Sequence, residues 1–194
     1  MAMFKSDVTF DKIRVIIGCE GFTINNQFYP KEIGFFSDKI CSSIGLNFFN
    51  NEKLKNNDII KSNFLYKFHH GLDIYRNSIN WPKYSDFESV IKTIYTLTED
   101  KNNPKKLYIG YNNDANIRSL LHKAGLDHLA VNLYNIFQDL PSMKAIKLLP
   151  FYGWAEYTQC DLHDTHDYAK IQCAKIKCKI LHEICLKKYK NFDN

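Results

Sequence analysis

Two thiols and an imidazole fall within fourteen positions near the end of the chain: Cys160-Asp161-Leu162-His163, nine further residues, then Cys173-Ala174. Thiolate sulfur and imidazole nitrogen are donors that Zn²⁺ takes, and a structural zinc site wants four donors in a tetrahedron. Three are local, so the fourth must come from elsewhere. Glu20, at the end of an apolar N-terminal run, is the donor expected here, because a carboxylate on a buried strand needs a compensating partner. One metal ion per chain, held by Glu20, Cys160, His163 and Cys173, would join the opening strand to the closing helix. His166, three residues beyond His163, is a rival ligand if a helical turn begins early.

Other chemical signals are sparser. Cys178 and Cys185 repeat at helical spacing with Ala174 and Leu181, a stripe expected to pack against a sheet. His69-His70-Gly71 reads as a loop. Asp114 stands just before a helical pattern, where its carboxylate would cap backbone N–H groups. In a catalytic reading, Asp114 and His166 are the candidates for proton transfer, with Glu20 a third if it is not on the metal. No Ser/His/Asp or Cys/His nucleophile pattern stands out, and the glycines lack the spacing of a phosphate loop.

The elements that would position these groups follow from hydrophobic periodicity. Residues 12–18 (KIRVIIG) form a nearly continuous apolar run, the mark of a strand buried on both faces. Residues 23–29 read as extended, with Asn25-Asn26 as a turn. Residues 32–37 (EIGFFS) and 44–49 (IGLNFF) read as the second and third strands, close enough in sequence to pair antiparallel. Residues 50–62 read as a loop or short helix. A helix is expected over 84–97, a strand over 107–111, a helix over 114–124, a strand over 130–134, a short helix over 141–149, a loop carrying Trp154 and Tyr157, and a last helix over 168–188. The last two strands, joined through helices, should lie parallel to the first. The expectation is therefore an α/β fold, a mixed five-stranded sheet of three antiparallel and then two parallel strands flanked by helices, as one domain spanning 1–194.

Bulk composition fits that picture. The chain has 194 residues, 45% of them hydrophobic, with a formal net charge of +5. No apolar run approaches the roughly 18 residues needed to span a bilayer, the N-terminus carries no signal-peptide pattern, and no membrane partner is expected. The six cysteines read as reduced thiols, so an intracellular place, cytoplasm and/or nucleus, is expected. The positive balance tolerates an anionic partner.

That element order is the ribonuclease-H-like arrangement, and the residues point within it. The chain resembles the exonuclease branch that carries Asp-Glu-Asp-Asp carboxylates, whose acids hold two Mg²⁺ ions. Its first motif reads Gly18-Cys19-Glu20, with the leading Asp gone. The stretch Ile109 to Leu121 keeps Asp114. Gln172-Cys173-Ala174 stands where the family has its final Asp. Two of four carboxylates are missing, and a thiolate suits Zn²⁺ better than Mg²⁺, so a normal two-magnesium exonuclease is not expected.

The set Glu20, Cys160, His163 and Cys173 is similar to the Glu-Cys-His-Cys set of the Maelstrom domain. That family has the ribonuclease-H-like fold and binds zinc through those four residue types. The resemblance implies a role in small-RNA-guided (piRNA) gene silencing of transposons, with single-stranded RNA and a silencing-complex protein as partners. The reading that follows is a zinc-stapled, nuclease-derived module that binds single-stranded RNA or a protein, in silencing or its viral counterpart. Two alternatives stand beside it: a weak metal-independent or zinc-containing ribonuclease cutting single strands, and a catalytically dead interaction protein of a virus or mobile element.

Overall fold

The computed structural model describes residues 8–48, 54–142, 160–163 and 173–192. Strands β1 (Ile13–Ile24), β2 (Gln27–Phe36) and β3 (Cys41–Gly45) open the fold, followed by α1 (Asn56–Leu65), α2 (Phe87–Leu97), β4 (Tyr108–Tyr111), α3 (Ala115–Lys123), β5 (Ala130–Asn132) and α4 (Ala174–Phe192). They build one five-stranded sheet in the order β3-β2-β1-β4-β5. β1 pairs antiparallel with β2, and β2 with β3, while β4 runs parallel to β1 and β5 parallel to β4. This is the mixed sheet expected from the sequence.

β1 and β2 are longer than their apolar runs suggest. They meet in a two-residue hairpin at Asn25 and Asn26, with φ of 49° and 63°. A tight hairpin whose twist matches its strands needs both central residues left-handed, and Asn is among the few that tolerate it. Residues 23–29 are thus the end of one strand and the start of the next. Glu32 consequently lies well inside β2 rather than at its head.

The sheet separates two apolar layers. Ile16 and Val131 face α4, which contributes Ile176, Ile180, Leu181 and Ile184. Val15, Ile17, Ile33 and Ile109 face α2 and α3. In α2, Phe87, Val90, Ile91 and Ile94 recur at three- and four-residue steps and are buried; each such side chain contributes about 1.5–3 kcal/mol when removed from water. Ala174, Cys178, Leu181 and Cys185 are buried along α4, as their spacing predicts. The short helix expected at 141–149, the loop with Trp154 and Tyr157, and the first turn of the last helix lie outside the described residues.

One glycine sets how α4 lands on the sheet. A Cβ on Gly34 would come within 2.2 Å of the backbone carbon of Ala174 and the nitrogen of Lys175. The helix start therefore rests on bare β2 backbone, and Cys178 Sγ sits 3.4 Å from the Gly34 carbonyl.

Candidate metal centre

Glu32 and Gly34 are two residues apart on β2 and so lie on the same face of the sheet. The helix start that rests on Gly34 thereby brings Cys173 to the Glu32 carboxylate. The second segment, residues 160–163, is held by Leu162. That side chain is buried in a small core with Phe22, Ile24, Leu72 and Ile74, and its carbonyl accepts from Arg76 at 3.4 Å.

Four donor atoms converge there. Glu32, Cys160, His163 and Cys173 each offer one ligand atom, all within 4.8 Å of one another. Glu32 Oε1 lies 3.1 Å from Cys160 Sγ and 3.3 Å from Cys173 Sγ. The two sulfurs are 3.6 Å apart. His163 Nε2 is 2.9 Å from Glu32 Oε2. The His163 and Glu32 side chains are both fully buried.

The hydrogen bonds around the cluster fix its polarity. His163 Nδ1 meets the His70 carbonyl, which only accepts, so Nδ1 carries a proton. That leaves Nε2 facing a carboxylate oxygen, and two lone pairs 2.9 Å apart require a positive charge between them: a proton on the ring or a shared cation. Burial alone would raise the Glu32 carboxyl, yet His163 and the N–H of Ala174 outweigh it and hold it at about 2. Burial pushes His163 down, but Glu32 and Cys173 lift it to about 10. The shared S–H···S bond drives the two thiols apart, Cys173 down to about 6 and Cys160 far up. The arrangement is a buried, electron-rich pocket of two sulfurs, one nitrogen and one carboxylate, a set that can hold a metal ion.

Three of the four residues expected from the sequence, Cys160, His163 and Cys173, are brought together. The carboxylate beside them is Glu32, and the assignment of Glu20 is corrected accordingly. Glu20 is the cross-strand partner of Glu32, but its Oε1 is paired with Nζ of Lys177, one helical turn beyond Cys173. Because α4 starts over β2 and then crosses β1, its first turn meets Glu32 and its second meets Glu20. Burial raises the Glu20 carboxyl while Lys177 opposes the rise. Sequence reasoning missed Glu32 by placing it at a strand end. The available signal was a lone carboxylate two residues from a glycine in an otherwise apolar run.

Asp114 caps α3: its Oδ1 accepts from the N–H groups of Asn116 at 2.8 Å and Ile117 at 3.3 Å. His166 lies outside the described residues. His70 is buried behind His163 and orients it through its carbonyl. Burial, with His163 beside it, pushes the His70 ring down to about 3. Neither a protein-family model nor a curated protein matches this sequence. Among the described residues, no helix is long and apolar enough to cross a membrane.

Proposed function

We propose that this chain is a zinc-clipped, Maelstrom-like domain that binds single-stranded RNA and has left two-magnesium nuclease chemistry behind. The observation that carries the reading is the convergence of Glu32, Cys160, His163 and Cys173 on one buried point. Zinc bonds of 2.0–2.3 Å set the edges of a tetrahedron at about 3.3–3.8 Å. The sulfur–sulfur separation of 3.6 Å fits that range. Of the sulfur contacts to Glu32 Oε1, that of Cys173 at 3.3 Å lies at the edge of the range and that of Cys160 at 3.1 Å just below it, while His163 Nε2 sits 2.9 Å from the other oxygen, Oε2. Four protein donors close the coordination sphere, which is the pattern of a structural rather than a catalytic zinc.

Two further features argue against magnesium chemistry. The carboxylate of Glu20 faces the Lys177 ammonium, so a cation built into the chain already balances it. Asp114 Oδ1 is committed to the cap of α3. What remains is a scaffold with a net charge of +5, whose lysines can neutralise phosphates. A protein partner is the second reading, favoured by Ile60 and Phe64, 65% and 53% exposed on α1, and by Ile79, 99% exposed.

Elemental analysis of the purified protein tests the clip. About one zinc per chain is expected, lost together with stability in Cys160→Ser. A protein without zinc, or a Cys160→Ser variant that keeps it, rejects the assignment. Fluorescence anisotropy with labelled single-stranded RNA tests the partner. Affinity should fall steeply as salt rises, and no binding in low salt removes RNA from the reading. Stoichiometric co-purification of a protein without nucleic acid would favour the second reading.

A further inference from the structure

Two glycines mark where the sulfur-bearing segments rest on the sheet. α4 starts over Gly34 of β2, and the 160–163 segment crosses β3 at Gly45, where a Cβ would stand 2.7 Å from Cδ2 of Leu162. Gly45 is the cross-strand partner of Glu32, and Ser43 that of Gly34. Residues paired directly across two strands share a face of the sheet, as do residues two apart on one strand. Glu32, Gly34, Ser43 and Gly45 therefore all face the four-residue cluster.

Of these four, the glycines carry no side chain and Glu32 supplies the carboxylate. Ser43 is left, with its Oγ buried and without a hydrogen-bond partner. A buried hydroxyl in that state calls for an explanation. The group it faces is Cys160. The S–H···S bond with Cys173 and burial push the Cys160 thiol up, and Ser43 pulls it down, as a hydroxyl does when its hydrogen bond favours the thiolate. A neutral thiol is a weak acceptor, and the Cys160 proton is directed at Glu32 Oε1, 3.1 Å away. A metal-bound thiolate has lost that proton and carries charge, and hydrogen bonds to charged acceptors are about twice as strong as neutral ones.

We infer that Ser43 is a positioning residue of the candidate metal centre, whose hydroxyl donates to the Cys160 sulfur when that sulfur is a metal-bound thiolate. The inference rests on the zinc-clip reading above and goes further by naming the donor that tunes one of the two sulfurs. Partners of this kind orient a ligand and set how much charge it gives to the metal. The Ser43 hydroxyl draws charge from the Cys160 sulfur and holds its lone pairs in one direction. The same bond satisfies the buried Oγ, so the hydroxyl is at rest only when Cys160 is deprotonated.

Cobalt(II) loaded in place of zinc tests this, because thiolates on cobalt give a charge-transfer band in the near ultraviolet whose position follows the electron density on sulfur. Ser43→Ala should move the band to longer wavelength. Ser43→Thr, which keeps a hydroxyl, should hold it near the wild-type position. Zinc affinity of Ser43→Ala, read by competition with a chromogenic chelator, should fall about tenfold. Far-ultraviolet circular dichroism matching wild type would confirm that both variants are folded. An unchanged band or an unchanged affinity in Ser43→Ala, or an equal band shift in Ser43→Thr, overturns the role of Ser43 while the zinc clip stands. If wild type gives no thiolate-to-cobalt band, the clip proposed above falls, and the assignment of Ser43 with it.

Discussion

Glu20 and Glu32 are directly paired across β1 and β2, yet one carboxylate meets an ammonium and the other a cluster of sulfurs and imidazole. The path of α4 separates their fates. Cys173 at its start lies over β2, and Lys177 one turn later reaches β1.

Substitution at the two positions should therefore give opposite results. Glu32→Gln removes the only carboxylate of the four donors and leaves His163 without its counter-charge. Loss of bound zinc is expected, with a stability loss of about 3–5 kcal/mol, as for breaking a buried ion pair. Glu20→Gln should keep the zinc. Metal content by elemental analysis and unfolding in urea measure both. Zinc retained in Glu32→Gln and lost in Glu20→Gln would restore the assignment made from sequence.

The succession of strands and helices was legible because the relevant patterns are local. The residue 12–18 run, the helix stripe of α2 and the Cys178–Cys185 spacing each announce a buried face without tertiary information. Three residues of the cluster were legible for the same reason, since Cys160, His163 and Cys173 lie close in sequence. Glu32 was not, because its identity as a donor depends on where α4 lands, and that depends on the close approach at Gly34. The Asn25-Asn26 turn was visible, but its tightness was not, and that tightness moves Glu32 from a strand end to a strand interior.

Gly34 is then a position where one methyl group should act on the candidate metal centre from a distance. A Cβ there would lie 2.2 Å from backbone atoms of Ala174 and Lys175, which cannot rotate away as a side chain could. Gly34→Ala should lift the start of α4, at a cost of about 1–3 kcal/mol or more for overpacking. Zinc affinity should fall although no ligand has changed. A competition titration with a chromogenic chelator reads the affinity, and an unchanged value would show that α4 can dock without this contact.

Lys177 should have a pH signature. Burial raises the Glu20 carboxyl in the folded state, and Lys177 holds that rise down. A folded pKa above the unfolded value means that the native state holds its proton more tightly. The stability this supplies is complete below the unfolded value, about 4.3, and is lost as pH rises through the folded value. Lys177→Met removes the cation and should push the Glu20 carboxyl further up, extending the loss to higher pH. The variant should therefore be more destabilised relative to wild type at pH 8 than at pH 5. Urea melts at the two values decide it, and an equal deficit at both would show that Lys177 contributes through packing rather than charge.

Withdrawing the metal should expose the two sulfurs to oxidation. Cys160 and Cys173 lie 3.6 Å apart, and disulfide formation requires about 2.05 Å, so the two sulfurs must close by about 1.5 Å. Zinc bound in the proposed clip would hold both sulfurs as coordinated thiolates and shield them from an oxidant. Chelation would free them, and Cys173, whose thiol is held below its usual range by the Cys160 S–H and by His163, is the one expected to react as the thiolate. Hydrogen peroxide should oxidise that thiolate to a sulfenic acid, releasing water, and Cys160 should then displace a second water to close the disulfide. Peptide mapping after peroxide treatment should find this pair joined in the chelated protein and absent in the zinc-loaded one. Equal yields of the linked peptide with and without zinc would mean that the metal does not sit on these sulfurs.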